Sequence, residues 1–279
     1  MSRFARLCGA AAMVAIIPAT QVNSAASDQD IPNFSFITSG WLLNGGIDFH
    51  PIPGAVPPIS FDPAYPQKGE GNQRGVMERM SDAENANLKP WAKELMRKYN
   101  QDVLDGHRAF SSQSRCWPGG TPGQLLFPAE PIFFIQTPKE VWMVWQRDHV
   151  VRRIFLDRPH SQNIKPSWFG ESVGHYENGD TLVVDTIGLS TYKSYIDNFR
   201  TPHTEQEHVV ERFTIAPDGK SMTAVARVED PGAYNAPITM KEFWFKANQP
   251  MLETVCPENN EDFFHQNLYA IPEAKTADF

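Results

Sequence analysis

The run Thr201-Pro202-His203-Thr204-Glu205-Gln206-Glu207-His208, followed by Arg212, gathers imidazoles, carboxylates and a guanidinium in one short stretch. General acid/base chemistry needs this mixture, since one group must be poised to lose a proton and another to gain one. On that reading His208 is the acid/base candidate and Arg212 polarises or anchors an oxyanion, with His175, His203 and Glu205 assisting. Zinc is the rival use. His203, Glu205 and His208 carry suitable ligand atoms, but the spacing is not His-Glu-x-x-His and no second ligand cluster accompanies it. A solvated loop with Thr204 and Glu207 as a capping box is the plain alternative. No resident metal is expected.

Other chemistries lack their signatures. The chain has no Gly-rich phosphate loop, no Gly-x-Ser-x-Gly elbow and no dinucleotide fingerprint, so phosphoryl transfer, serine hydrolysis and hydride transfer are disfavoured and no cofactor is implied. The formal net charge is −8, and no basic stripe offers a nucleic-acid footprint.

The elements that must position these residues are short strands. Glu171–Gly188 holds two Val-rich runs around Asn178-Gly179, the strongest short hairpin signal, because both residues tolerate positive φ. A two-residue loop would pair Glu177 with Asp180 and His175 with Leu182. It would put His175 on the face of Val173, Leu182 and Val184; which face points inward stays open. A second hairpin pairs 208–216 with 220–228 across Pro217-Asp218-Gly219. Placing Ala216 opposite Lys220 sets His208, Val210 and Arg212 on the apolar face of Met222, Ala224, Ala226 and Val228, and sends Glu207, Glu211, Arg227 and Glu229 to solvent. Burying a guanidinium there demands a polar or anionic answer: a structural ion pair, or a ligand in a cavity.

Further strands are expected at 34–43, 132–137, 140–147, 150–156, 239–246 and 252–256. Such a series, with tight turns and no helix between, argues a mostly β fold: an antiparallel up-and-down barrel, with a twisted sandwich or sheet as runner-up. One amphipathic helix is expected within 81–104, its stripe formed by Trp91, Leu95, Met96, Tyr99 and Val103 and its end set by Gly106. The long connections 157–170, 188–202 and 230–237 bring His160, Trp168, Tyr192, Tyr195 and Tyr234 as candidate substrate-binding residues of an aromatic-lined mouth. Rings that merely buttress loops would look the same.

Arg3 and Arg6, an apolar run over 7–17 and Ser24-Ala25-Ala26 read as a secretory signal peptide over 1–26. Residues 27–130 then form an N-terminal extension with a Pro-rich segment and the helix, and 131–279 the main β-meander, the whole of 27–279 being one structural domain. Removal of the leader also removes Cys8. The even remainder, Cys116 and Cys256, predicts one disulfide in an oxidising compartment, periplasmic or extracellular.

Gly40-Trp41 ahead of an up-and-down strand series resembles the lipocalin and wider calycin superfold. Over most of the mature chain the sequence also resembles an uncharacterised group of secreted bacterial proteins. The shared pattern includes Arg115-Cys116, Gln136-Thr137-Pro138, Arg158-Pro159-His160, Asp180 to Thr186, His203 to Arg212 and Val255 to Asn259. Trp117 and Gly120 depart from what related chains carry after the Cys. This second resemblance implies no particular activity.

Three functions therefore stand. The first is an exported, cofactor-independent isomerase, lyase or hydratase acting by proton transfer on a small aromatic or polycyclic molecule held in a barrel cavity. The others are a periplasmic carrier or sensor that uses such a cavity without chemistry, and a metal-binding protein built on His203–His208. The expected partner is a small molecule, with no nucleic acid and no membrane span; the oligomeric state is undetermined.

Overall fold

The structure is a computed structural model describing residues 31–35, 39–44, 46–65, 79–107, 111–112, 116–126 and 130–256; the expected signal peptide lies outside them. Ten strands are present: β1 (Gly40–Leu43), β2 (His50–Pro51), β3 (Ile132–Gln136), β4 (Glu140–Trp145), β5 (Val151–Leu156), β6 (Glu171–Glu177), β7 (Thr181–Ile187), β8 (His208–Ile215), β9 (Ser221–Glu229) and β10 (Ile238–Ala247). Successive pairing from β3 to β10 is sealed by β1, which pairs with both β3 and β10. The result is a closed barrel of nine strands, which abolishes free edges. The short β2 adds to β10 beside β1.

One pairing departs from an up-and-down scheme. β5 and β6 are parallel, Ile154 opposite Ser172, so the connection 157–170 runs back along the outside of the barrel. The expected strand at 252–256 does not form. That segment is irregular, tied by the Leu252 amide to Gln146 Oε1 at 3.0 Å.

Inward side chains alternate along each strand. Trp41, Phe134, Met143, Ile154, Leu182, Val184, Val209, Phe213, Met222 and Trp244 are all buried and belong to one core. Polar residues share that interior. Arg152 donates to Ser172 Oγ at 3.0 Å, Thr186 Oγ1 at 2.8 Å and both carboxylate oxygens of Glu211.

Both hairpins sit one residue away from the expected register. Asn178 and Gly179 do take positive φ, 55° and 72°, but Asp180 joins the loop, so Glu177 pairs with Thr181 and His175 with Val183. In the second hairpin Gly219 is left-handed (φ 66°) and Lys220 also joins the loop. Ala216 therefore bonds Ser221, and Phe213 pairs with Ala224. Because side chains alternate with period two, the slip exchanges the faces of β8. Val209, Glu211 and Phe213 point inward; His208, Val210 and Arg212 point outward. Met222, Ala224, Ala226 and Val228 do line the interior as expected.

Helix α1 (Pro90–Leu104) begins at Pro90, whose missing N–H costs nothing in a first turn. Residues 81–89 are turns rather than helix. The expected stripe divides. Ala92, Met96 and Asn100 face the core, and Asn100 exchanges two hydrogen bonds with the Ser81 backbone, at 2.9 and 2.8 Å. The row Trp91, Leu95, Tyr99 faces a groove. The helix packs at the barrel end that carries the β7–β8 and β9–β10 connections: the Lys89 amide and Trp91 Nε1 donate to the carbonyls of Ala233 and Gly232. Cys116 and Cys256 form the expected disulfide, with Cα atoms 5.5 Å apart. No described helix is long and apolar enough to cross a membrane.

Candidate active site

The groove lies between α1 and the β7–β8 connection, with a volume of about 630 Å³. Its walls are Trp91, Leu95 and Tyr99 from the helix, Thr191–Tyr195 after β7, and Pro202–Glu205 before β8. The connection is irregular but pinned. The buried Asp197 carboxylate accepts from the amides of Phe199 (2.9 Å) and Thr201 (3.1 Å) and from Thr201 Oγ1 (2.7 Å). Asp230 holds the Thr204 hydroxyl at 2.7 Å, and the Tyr234 hydroxyl donates to the Pro202 carbonyl at 2.6 Å. These bonds fix His203, which sits between Pro202 and Thr204.

His203 is buried, and its Nδ1 lies 2.6 Å from Oε2 of the equally buried Glu207. The Thr204 carbonyl is 3.2 Å from the same nitrogen. A carbonyl only accepts, so Nδ1 carries hydrogen. Among the described residues neither Nε2 nor either Glu207 oxygen has a partner in hydrogen-bond geometry, so the Glu207 contact is a close charge contact rather than an aligned bond. Burial works against the imidazolium, yet the charge and hydrogen bond of Glu207, with the Thr204 carbonyl and Asp230, raise the His203 pKa above its ordinary value. Burial also raises that of Glu207, against the pull of His203 and with help from Asp230 and Glu211. The pair thus keeps a shared proton toward neutral pH. With that proton on His203 both ring nitrogens carry hydrogen; with it on Glu207, or once the pair has lost it, Nδ1–H keeps the Thr204 carbonyl and Nε2 carries the lone pair.

Aromatic rings line the groove. The Tyr195 hydroxyl is 3.5 Å from that of Tyr99, and burial, reinforced by Tyr99, raises the Tyr195 pKa so that it remains a neutral phenol. Tyr192 is 62% exposed and is backed by Trp117, at 5.5 Å between ring centroids, with Trp168 5.8 Å beyond. Glu205 is exposed at the rim.

Comparison with known protein families, with curated proteins and with solved structures finds no match. The geometry alone must carry the reading.

Of the residues singled out in the sequence, the groove collects His203, Glu205, Tyr192 and Tyr195. His208 and Arg212, expected inside, stand on the outer face. His208 Nε2 meets Asp185 Oδ1 at 3.0 Å, and Arg212 pairs with Glu177 at 2.5 Å. His175 is exposed beside the same Glu177, at 2.8 Å. His160 lies between Glu171 and Asp185. Trp168 buttresses Trp117, and Tyr234 is buried against Pro202. His203 and His208 therefore face different environments. Among the described residues no group of three or more His, Cys, Asp or Glu is arranged to hold a metal ion. Glu207, which the hairpin count sends to solvent, is the partner that matters. The period-two run Val209, Phe213, Ile215 on the strand that follows it carries the signal, since it marks odd positions as inward.

Proposed function

We propose that this protein is an exported enzyme acting by acid/base proton transfer, as an isomerase, lyase or hydratase, on a small ring-containing molecule bound in the groove. One observation carries the reading: a buried histidine with Nδ1 2.6 Å from a buried carboxylate and Nε2 unpartnered among the described residues, in the segment that lines an aromatic groove. A group that contributes catalytically by proton transfer must have its reacting nitrogen free and its other nitrogen oriented. Nε2–H donates to the substrate oxygen or carbon, and Glu207 stabilises or shares the remaining ring proton. Glu205 is the carboxylate that takes up the proton released from carbon. The Tyr99 phenol, which accepts from the Tyr195 hydroxyl, offers its own hydrogen to a developing oxyanion. The groove volume suits a ligand of a few fused rings. The disulfide supports an oxidising location, periplasmic or secreted.

The test is deuterium exchange. Purified protein is incubated in D2O with 2-tetralone and cyclohexenone, and label at carbon beside the carbonyl is followed by mass spectrometry. Wild type should exchange it, and His203→Gln should lose about a hundredfold or more of that rate with its fold intact. Binding of the ketones without exchange would assign the groove to a carrier instead.

A further inference from the structure

Outside the groove, a cluster of titratable side chains joins the crossover 157–170 to the outer wall of the barrel. His160 Nε2 lies 2.9 Å from Asp185 Oδ1 on β7, and His160 Nδ1 lies 3.2 Å from Glu171 Oε1 at the start of β6. Glu171 also accepts from the Ser161 amide and hydroxyl, each at 2.6 Å, and from Arg158 at 3.1 Å. His208, on β8, meets the same Asp185 oxygen at 3.0 Å. Burial favours the neutral form of Glu171, but the bonds from Ser161 and His160 and the nearby Arg158 bring its pKa down to about 2. Asp185 is likewise lowered by His160 and His208 against its burial. Both carboxylates are thus acceptors only across the neutral range. For His160 to bond both, each ring nitrogen must carry hydrogen. A neutral imidazole can keep one of the two bonds and must turn a lone pair toward the other carboxylate.

The crossover reaches the groove by two routes. The Ser167 amide donates to the Gly188 carbonyl at 3.1 Å, and the Ser190 amide to the Ser167 carbonyl at 2.9 Å, just ahead of the wall 191–195. Trp168 packs on Trp117, which backs Tyr192. The crossover is bounded by two left-handed residues, Asp157 (φ 53°) and Gly170 (φ 58°). Between them, His160 is the residue that ties it to two strands at once.

We propose that His160 is a positioning residue for the groove: clamped between Glu171 and Asp185 with a bond at each ring nitrogen, it holds the crossover, and through Ser167 and Trp168 the Tyr192 wall, in its binding arrangement. The role rests on the groove being the functional site.

Hydrogen exchange read by mass spectrometry on the intact protein tests this at one fixed pH. In His160→Gln, peptides covering 157–170 and 188–195 should both lose at least tenfold protection relative to wild type, while β8 and β9 hold theirs. His203→Gln should keep the wild-type profile, so a failed groove acid is seen separately from a failed clamp. A wild-type pattern in His160→Gln, or a loss confined to 157–170, would each overturn the proposal.

Discussion

Arg152 and Glu211 meet inside the barrel by two hydrogen bonds, at 3.1 and 2.5 Å, with both side chains shut off from solvent. The guanidinium's remaining bonds go to Ser172 and Thr186, so the ion pair is satisfied on every side that the strands present. Removing one partner leaves a buried charge, which costs roughly 3–5 kcal/mol, whereas replacing both by apolar groups of similar size costs little. Glu211→Leu should therefore lower the urea midpoint sharply, and Arg152→Met combined with Glu211→Leu should recover most of the loss. Equal loss in the single and double variants would contradict this.

The second buried acid behaves in the opposite way. Glu242 on β10 faces inward, with Oε2 unpartnered and His50 Nε2 3.8 Å from Oε1. Burial raises its pKa to about 8, opposed by one bond from the Phe243 amide. The folded state then binds a proton that the unfolded chain releases near pH 4.5, so stability falls as pH climbs from that value toward 8 and levels off above it. Glu242→Gln should match wild type near pH 4 and exceed it at pH 8.5 by a few kcal/mol, since each tenfold change in proton affinity on folding is worth roughly 1.4 kcal/mol. Parallel stability curves for the two proteins would show that the carboxyl ionises normally.

The disulfide closes a sequence separation of 140 residues. In the chain-entropy model such a link stabilises by about 5 kcal/mol. Cys116→Ser with Cys256→Ser should thus lower stability by a sizeable part of that figure in equilibrium unfolding. An unchanged midpoint would mean that the segment after β10 contributes nothing once released.

The barrel is legible in the sequence because its signals are local: Val-rich alternation, Asn-Gly, Pro-Asp-Gly and the end of the helix near Gly106. The site is not, because its legibility depends on register. Asp180 and Lys220 each enter a loop that a minimal turn would leave in the strands. That single-residue difference moves Glu207 and Glu211 into the interior and His208 and Arg212 out of it. The division of the helix stripe has another cause. Trp91, Leu95 and Tyr99 look like core from their spacing, and only the packing of the β7–β8 connection against them makes that row a groove wall. His203 stands out as a titratable group, but counting from the turn puts its partner, four residues on, at the wrong face.

The central claim is that His203 holds the proton it shares with the buried Glu207, so that Nε2 carries hydrogen. Nitrogen NMR of protein labelled in its histidine rings, followed from pH 5 to 9, reads this directly. The His203 midpoint should lie above the ordinary value of about 6.5, and Glu207→Gln should lower it. A His203 ring that is already neutral at pH 6.5, or whose midpoint is unmoved in Glu207→Gln, would contradict the claim.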